Sequence, residues 1–361
     1  MIVLICLLVF VLMAAVLVIF LYPPLGKRPS ALLRSHYQSY PNYDGSKFHN
    51  QIPTSKSMKP SEMAKVMADM AKGDPLRKPS SPLETVPFRP EKTGEARAVW
   101  LGHSAVWVEL AGKTLLLDPM FGRSPSPFPI FGNGRYSRKL PFDISQLGVI
   151  DAVILSHDHY DHLDYGTIRK LKNRVRRFIV PAGVSIHLEA WGVRKEAIEE
   201  YGWGETAEFE GLKLVCAPAR HFSGRNVVGE NSSLWCSWII EGGGDKLFFS
   251  GDSGYGPHFR EIGEKYGPFD LTLIECGQYD DRWRDIHMLP EQSVQAHLDV
   301  RGKRMVPIHW GAFTLAVHDW HDPINRVVQA AKQQGVELAT PRIGEPVAFR
   351  SARFPASVWW Q

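Results

Sequence analysis

The first 22 residues carry no charged side chain, cysteine is scarce along the whole chain, and neither acid nor base dominates it. Each shortage excludes something. The four cysteines, Cys6, Cys216, Cys236 and Cys276, have no paired spacing, which excludes a disulfide framework or a cysteine-rich zinc site. Buried free thiols in a reducing compartment are the expectation. Lys and Arg number 42 against 38 Asp and Glu, giving a net charge of +4 with the signs interspersed. That balance argues against a dedicated nucleic-acid binder, though not against an anionic substrate. No internal repeat and no low-complexity tract is visible, although a divergent two-half duplication would escape inspection. What remains is an ordinary globular composition, 44% hydrophobic and 22% charged over 361 residues. A chain of that length holds one sizeable α/β domain or two small ones. Eleven tryptophans fit a dense core and also suit lipid headgroups.

The uncharged stretch 1–22 is almost wholly apolar, and about 20 such residues cross the hydrocarbon core as a helix. No basic residue precedes it and no A-x-A-like site follows, as a cleaved signal peptide would require. The expectation is an uncleaved single-pass transmembrane anchor. Lys27, Arg28 and Arg34 follow it, which by the positive-inside rule places the rest of the chain on the cytoplasmic side.

Residues 23–90 are rich in Pro, Ser and Lys and predict a linker draped on the main domain, interrupted by one short helix over 61–72. The remainder, 91–361, predicts the catalytic domain. Strands are expected over 98–101, 105–110 and 114–117, with a hairpin turn at 111–113. Others are expected at 151–155, 178–180, 212–216, 234–240 and 246–249. Helices opened by proline are predicted near 257–265, 290–300 and 323–334.

The chemistry concentrates in one loop. Ser156-His157-Asp158-His159-Tyr160-Asp161-His162 follows a short apolar strand and packs three imidazoles and a carboxylate into six residues. Such ligands suit zinc and related first-row metals. Asp158 and Asp164 lie close enough in sequence to orient the imidazoles. Six residues cannot fill two metal shells, so further ligands are expected at other strand ends. His221, Asp252 and His309 each follow an apolar strand, and a carboxylate in the position of Asp252 is costly unless it binds something.

This series, the histidine motif followed by His221, Asp252 and His309, resembles the metallo-β-lactamase fold superfamily. Within it, the surroundings resemble the branch of N-acyl-phosphatidylethanolamine-hydrolysing phospholipase D. The matching stretches are Trp100-Leu101-Gly102-His103-Ser104, Leu117-Asp118-Pro119, residues 156–164 and Phe249-Ser250-Gly251-Asp252-Ser253-Gly254-Tyr255. Gly267-Pro268-Phe269-Asp270-Leu271 and Ile308-His309-Trp310-Gly311 complete them. The resemblance covers roughly residues 97–349 and implies an α/β fold, an αββα sandwich with two zinc ions at one edge, iron or manganese being the alternatives. It places His157, His159 and His221 on one metal, Asp161, His162 and His309 on the other, and Asp252 between them. The catalytic roles it implies fall to Asp161, Asp252 and His287, the last in His287-Met288-Leu289-Pro290-Glu291 and directed at the reacting phosphate. His103 belongs to a family motif too, and either supports the site or is simply buried and hydrogen-bonded.

The implied reaction is hydrolysis of a phospholipid phosphodiester by metal-activated hydroxide, giving phosphatidic acid and an N-acylethanolamine. The alternatives on the same fold are a lactonase or a β-lactamase-like amidase. A third reading, a non-catalytic membrane-bound binding module, predicts missing metal ligands, and none is missing here.

Overall fold

In the computed structural model of the chain, residues 2–55, 60–130, 134–225 and 229–361 are described. Eight α-helices occur among them: α1 (Ile2–Leu21), α2 (Ala31–Tyr37), α3 (Pro60–Lys72), α4 (Tyr165–Leu171), α5 (Ser185–Ala190), α6 (His258–Tyr266), α7 (Pro290–Asp299) and α8 (Asp322–Gln334). The strands of the first sheet are β1 (Arg97–Trp100), β2 (Val106–Leu110), β3 (Lys113–Leu117), β4 (Ile150–Ile154), β5 (Val175–Pro181) and β6 (Ile198–Tyr201). The second sheet holds β7 (Thr206–Phe209), β8 (Leu212–Ala217), β9 (Ser237–Gly242), β10 (Asp245–Phe249), β11 (Phe269–Glu275), β12 (Gly302–Ile308) and β13 (Glu337–Leu338). The last strand, β14 (Pro346–Ala348), returns to the first sheet beside β1.

The two sheets repeat one pattern. In the first, β1, β2 and β3 are antiparallel and β3 to β6 run parallel. In the second, β7 to β10 are antiparallel and β10 to β13 parallel. Side chains alternate across a strand, so each sheet has two faces to bury. One core lies between the sheets and joins Val106, Val108, Leu115 and Ile154 to Leu214, Ile240, Phe249 and Leu273. The outer face of the first sheet packs on α4 and α5 through Val153, Phe178, Ile168 and Leu188. Phe259, Val294, Ile324 and Val327 bring α6, α7 and α8 against the second sheet. The result is the αββα layering the resemblance implied.

Local differences have local causes. The strand expected from residue 234 begins at Ser237, because Leu234 donates to Ala182 O and Cys236 to Ser156 O. Those two residues bind loops of the other sheet before the strand enters its own. Strand β11 escaped the sequence reading because Asp270, Thr272 and Glu275 interrupt its apolar pattern, yet all seven of its residues are buried. Such two-sided burial is characteristic of parallel strands inside an α/β core.

The N-terminus requires a correction. Ile2–Leu21 forms a helix, and its described side chains, Leu4, Leu8 and Phe10 among them, are exposed. Among the described residues, however, no helix is long and apolar enough to cross a membrane. The expected transmembrane helix is corrected accordingly, and with it the single-pass membrane localisation and the cytoplasmic orientation.

The segment after α1 lies on the domain. Tyr37, Tyr40, Tyr43 and Phe48 form an aromatic cluster with Ala182, Ala219, Leu234 and Trp235. Asn50 continues from this cluster and clamps the backbone of His221, donating to its carbonyl at 2.8 Å and accepting from its N–H at 3.1 Å.

Candidate metal centre

Strands β3, β4, β8, β10, β11 and β12 all deliver their C-terminal ends to one edge of the sandwich; Glu275 ends β11, and the loops after the other five carry Asp118, His157 to His162, His221, Asp252 and His309. Tight backbone geometry brings them together. Gly251 has φ +56°, and a Cβ there would come within 2.7 Å of Cys236 O and of Ser156 Cβ. Only glycine lets β10 end so close to the histidine loop and present Asp252 to it. His103, Asp118 and His309 also adopt positive φ, an uncommon state for residues with a Cβ. His309 is held there by its N–H, which donates to His103 O at 3.0 Å. The loop of residues 156–163 is braced by Arg225, whose Nη1 donates to Asp158 O at 2.6 Å and Leu163 O at 2.8 Å.

Two sets of ligand atoms result. Nitrogens of His157, His159 and His221 converge in one, and those of His103, His162 and His309 with an Asp161 oxygen in the other. Asp252 lies between the sets. Its Oδ2 is 3.0 Å from His162 Nε2 and 3.8 Å from both His157 Nε2 and His221 Nε2, while Oδ1 is 3.1 Å from His309 Nδ1. The rings of His221 and His309 each stand 5.1 Å from His287, whose Nδ1 faces Glu275 Oε1 at 3.7 Å. All seven sequence-predicted ligands and His287 therefore share one site.

Hydrogen bonding decides which ring nitrogens are free. Asp118 accepts from the N–H and hydroxyl of Ser156, and from His162 Nδ1 at 2.7 Å. Since the Ser156 hydroxyl spends its one proton on Asp118, it must accept from His157 Nδ1, 2.9 Å away. His157 and His162 thus each turn Nε2 inward. His221 does the same, because its Nδ1 donates to Ile286 O at 2.9 Å. The inward atoms then crowd one another: His159 Nδ1 is 2.9 Å from His157 Nε2 and 3.2 Å from His221 Nε2. His162 Nε2 and Asp252 Oδ1 are buried and make no aligned hydrogen bond.

The charges point the same way. Burial holds the His157, His221 and His309 rings well below the usual histidine range, so they are neutral, as ligands must be. His162 differs: burial would lower it too, but Asp252, Asp161 and Asp118 overcome it and push that ring well up, so a bound cation must displace its proton. Burial alone would raise Asp161 and Asp252; the neighbouring histidines hold both well below the usual carboxylate range. Anionic carboxylates and converging imidazole lone pairs, with buried atoms lacking partners, fit divalent cations.

Around this centre the sequence reading was incomplete. Asp158 accepts from Ser233 and Gly224 and faces His187, and Asp164 caps α4 through Thr167. Neither holds an inward-facing imidazole; Asp118 does, from 44 positions earlier in the chain than His162. Asp118 stood in a quoted motif, but nothing there signalled its role. Glu275 was missed because it ends an unrecognised strand; burial pushes its carboxyl up to about 7. His103 is not merely buried: its Nε2 lies 2.8 Å from Asp161 Oδ2. An apolar wall stands beside the centre, where Val66 and Met70 of α3 meet Trp283, Ile286, Ala316 and Phe222, and Phe222 packs edge-on to His159.

Fold and site together define a metal-dependent hydrolase. The family profile described as the beta-lactamase superfamily domain matches residues 113–310, and the chain belongs to that family. An uncharacterized protein of Mycobacterium tuberculosis is 38% identical over 325 residues, which span 88% of this chain and 87% of that protein. N-acyl-phosphatidylethanolamine-hydrolyzing phospholipase D 1 of Caenorhabditis elegans is 33% identical over 237 residues, 62% of this chain and 66% of its own. A metallo hydrolase from the archaeon Ignicoccus hospitalis shares the fold, with a TM-score of 0.53 and 21% identity over 71% of this chain and 99% of that one.

Proposed function

We propose that the enzyme hydrolyses the phosphodiester of N-acyl-phosphatidylethanolamine to phosphatidic acid and an N-acylethanolamine, using two zinc ions. The observation that carries the substrate is the similarity to the C. elegans phospholipase, joined to a centre in which every expected ligand converges.

In this reading His157, His159 and His221 hold one ion, and Asp161, His162 and His309 the other, with His103 fixing Asp161 and Asp252 facing both sets. Two such ions, when bound, acidify a water and draw charge from a phosphoryl oxygen. The protein's own part is to keep the ligand set rigid and correctly protonated. Asp118 fixes the His162 tautomer, and Ser156 that of His157. His287 stands across the mouth of the centre, where Glu275 and two site aspartates outweigh the burial that would lower its pKa. A protonated His287 serves to donate to the leaving alkoxide or to stabilise charge on the phosphoryl group. The apolar wall of Val66, Met70 and Trp283 gives acyl chains a surface to lie on.

A substrate panel tests the proposal. Metal-loaded protein is offered N-acyl-phosphatidylethanolamine and a set of lactones, with products followed by mass spectrometry. Release of phosphatidic acid is expected; turnover of lactones alone would overturn the lipid reading in favour of a lactonase.

A further inference from the structure

The chain before the domain reaches the metal centre through a single amide. Asn50 lies against the backbone of His221, where its Nδ2 donates to the His221 carbonyl at 2.8 Å and its Oδ1 accepts from the His221 N–H at 3.1 Å. The orientation of the amide is fixed. Trp235 Nε1 also donates to Oδ1, at 3.0 Å, and two N–H donors can meet only the oxygen. The nitrogen is thereby turned to the carbonyl.

Asn50 is itself held in place. Phe48 is fully buried; its N–H donates to Asn231 O at 2.9 Å and its carbonyl accepts from Asn231 Nδ2 at 3.2 Å. The fastening is reciprocal. Asn231 of the domain grips the peptide groups of Phe48, and two residues on Asn50 grips those of His221. Asn50 stands well ahead of residue 113, where the family profile begins.

The consequence at His221 is specific. His221 is completely buried, and a buried N–H or carbonyl is costly to leave unpaired. Asn50 satisfies both groups and Ile286 O takes the outer ring nitrogen, so only Nε2 is left to meet His157 and His159. The other set is braced from within the domain. Ser104 Oγ lies 3.0 Å from His309 Nδ1, His103 faces Asp161, and Asp118 holds His162.

We infer that Asn50 is a positioning residue of the metal centre, which keeps His221 in register for the ion shared with His157 and His159 and leaves the other ion untouched. This rests on the two-ion reading above and not on its substrate.

The test measures zinc affinity of the full-length chain by competition with a chromophoric chelator. Two backgrounds each keep one ligand set: His309→Ala spares His157, His159 and His221, and His159→Ala spares Asp161, His162 and His309. Asn50→Leu, which keeps the shape of the side chain and removes its amide, is added to each. Affinity is expected to fall about tenfold in the His309→Ala background, the lower end of what losing a ligand's partner costs, and to change by less than about twofold in the His159→Ala background. Circular dichroism checks the fold, and Asn50→Ala decides should Asn50→Leu fail to fold. Equal losses in both backgrounds would make Asn50 a general brace of the fold, and unchanged affinity in both would show that His221 is held without it; either result overturns the inference. A wild type that takes up only one zinc would contradict the two-ion reading instead, and the affinity of that zinc in Asn50→Leu would then decide for Asn50.

Discussion

Asp118 shows how one residue can govern a metal centre through its hydrogen bonds. It fixes His162 directly and His157 through the Ser156 hydroxyl, so it sets the lone pairs of one ligand in each set. Asp118→Asn is expected to lower metal affinity by about 10–100-fold, the usual cost of losing such a partner. Competition against a chelator measures this directly, and unchanged affinity would show that the tautomers are fixed by other means. His287→Ala behaves differently. Metal content should stay and turnover should fall by about 10²–10⁴-fold, the scale of a lost acid or charge-stabilising group. Elemental analysis beside a turnover assay separates the two, and metal loss in that variant would make His287 a ligand. The sequence made the dense motif and its three distant partners legible because each residue follows an apolar strand. Asp118 follows the strand expected over 114–117 and carries the same mark, but nothing in it names a partner, and Glu275 lies inside a strand that was not recognised. Their partners lie across strands, and no spacing rule links position 118 to 162 or 275 to 287.

Among the elements, β2 illustrates electrostatics far from the metals. Glu109 is a buried carboxylate on that strand, accepting from the N–H groups of Thr93 and Gly94 and from Arg97 Nε at 3.1 Å. Burial would raise its pKa, but these three donors outweigh it and lower the group. A carboxyl depressed in the folded state stabilises the fold above its unfolded value of about 4.3, and that stability is lost as pH falls further. Glu109→Gln should therefore cost about 1–3 kcal/mol near neutral pH, with the gap to wild type closing as the solution is acidified through the carboxylate range. Denaturant titrations at a series of pH values follow it; a gap that widens on acidification would reverse the assigned sign. Elements with a clear period, such as β2, β3 and α8, were legible in advance. Strand β11 was not, because buried Asp270 and Glu275 broke its apolar pattern, and α4 and α5 are too short to develop a helical period.

For the whole molecule, the matched order of strands in the two sheets was invisible as a repeat, since packing constrains hydrophobic pattern far more than residue identity. The N-terminal stretch was legible only as composition. Its Tyr37 to Phe48 cluster ties the chain before the domain to the loop that presents His221, through Asn50. Phe48 is fully buried there. Phe48→Ala should cost about 3–5 kcal/mol, read from chemical denaturation. A loss well under 1 kcal/mol would show the cluster to be peripheral.

The central claim is phosphodiester hydrolysis at this one centre, and isotope transfer tests it most directly. Metal-loaded protein is incubated with N-acyl-phosphatidylethanolamine in water enriched in oxygen-18, and both products are weighed by mass spectrometry. Attack at phosphorus predicts label in the phosphatidic acid and none in the N-acylethanolamine. Intact lipid, or label in the alcohol product, would contradict it.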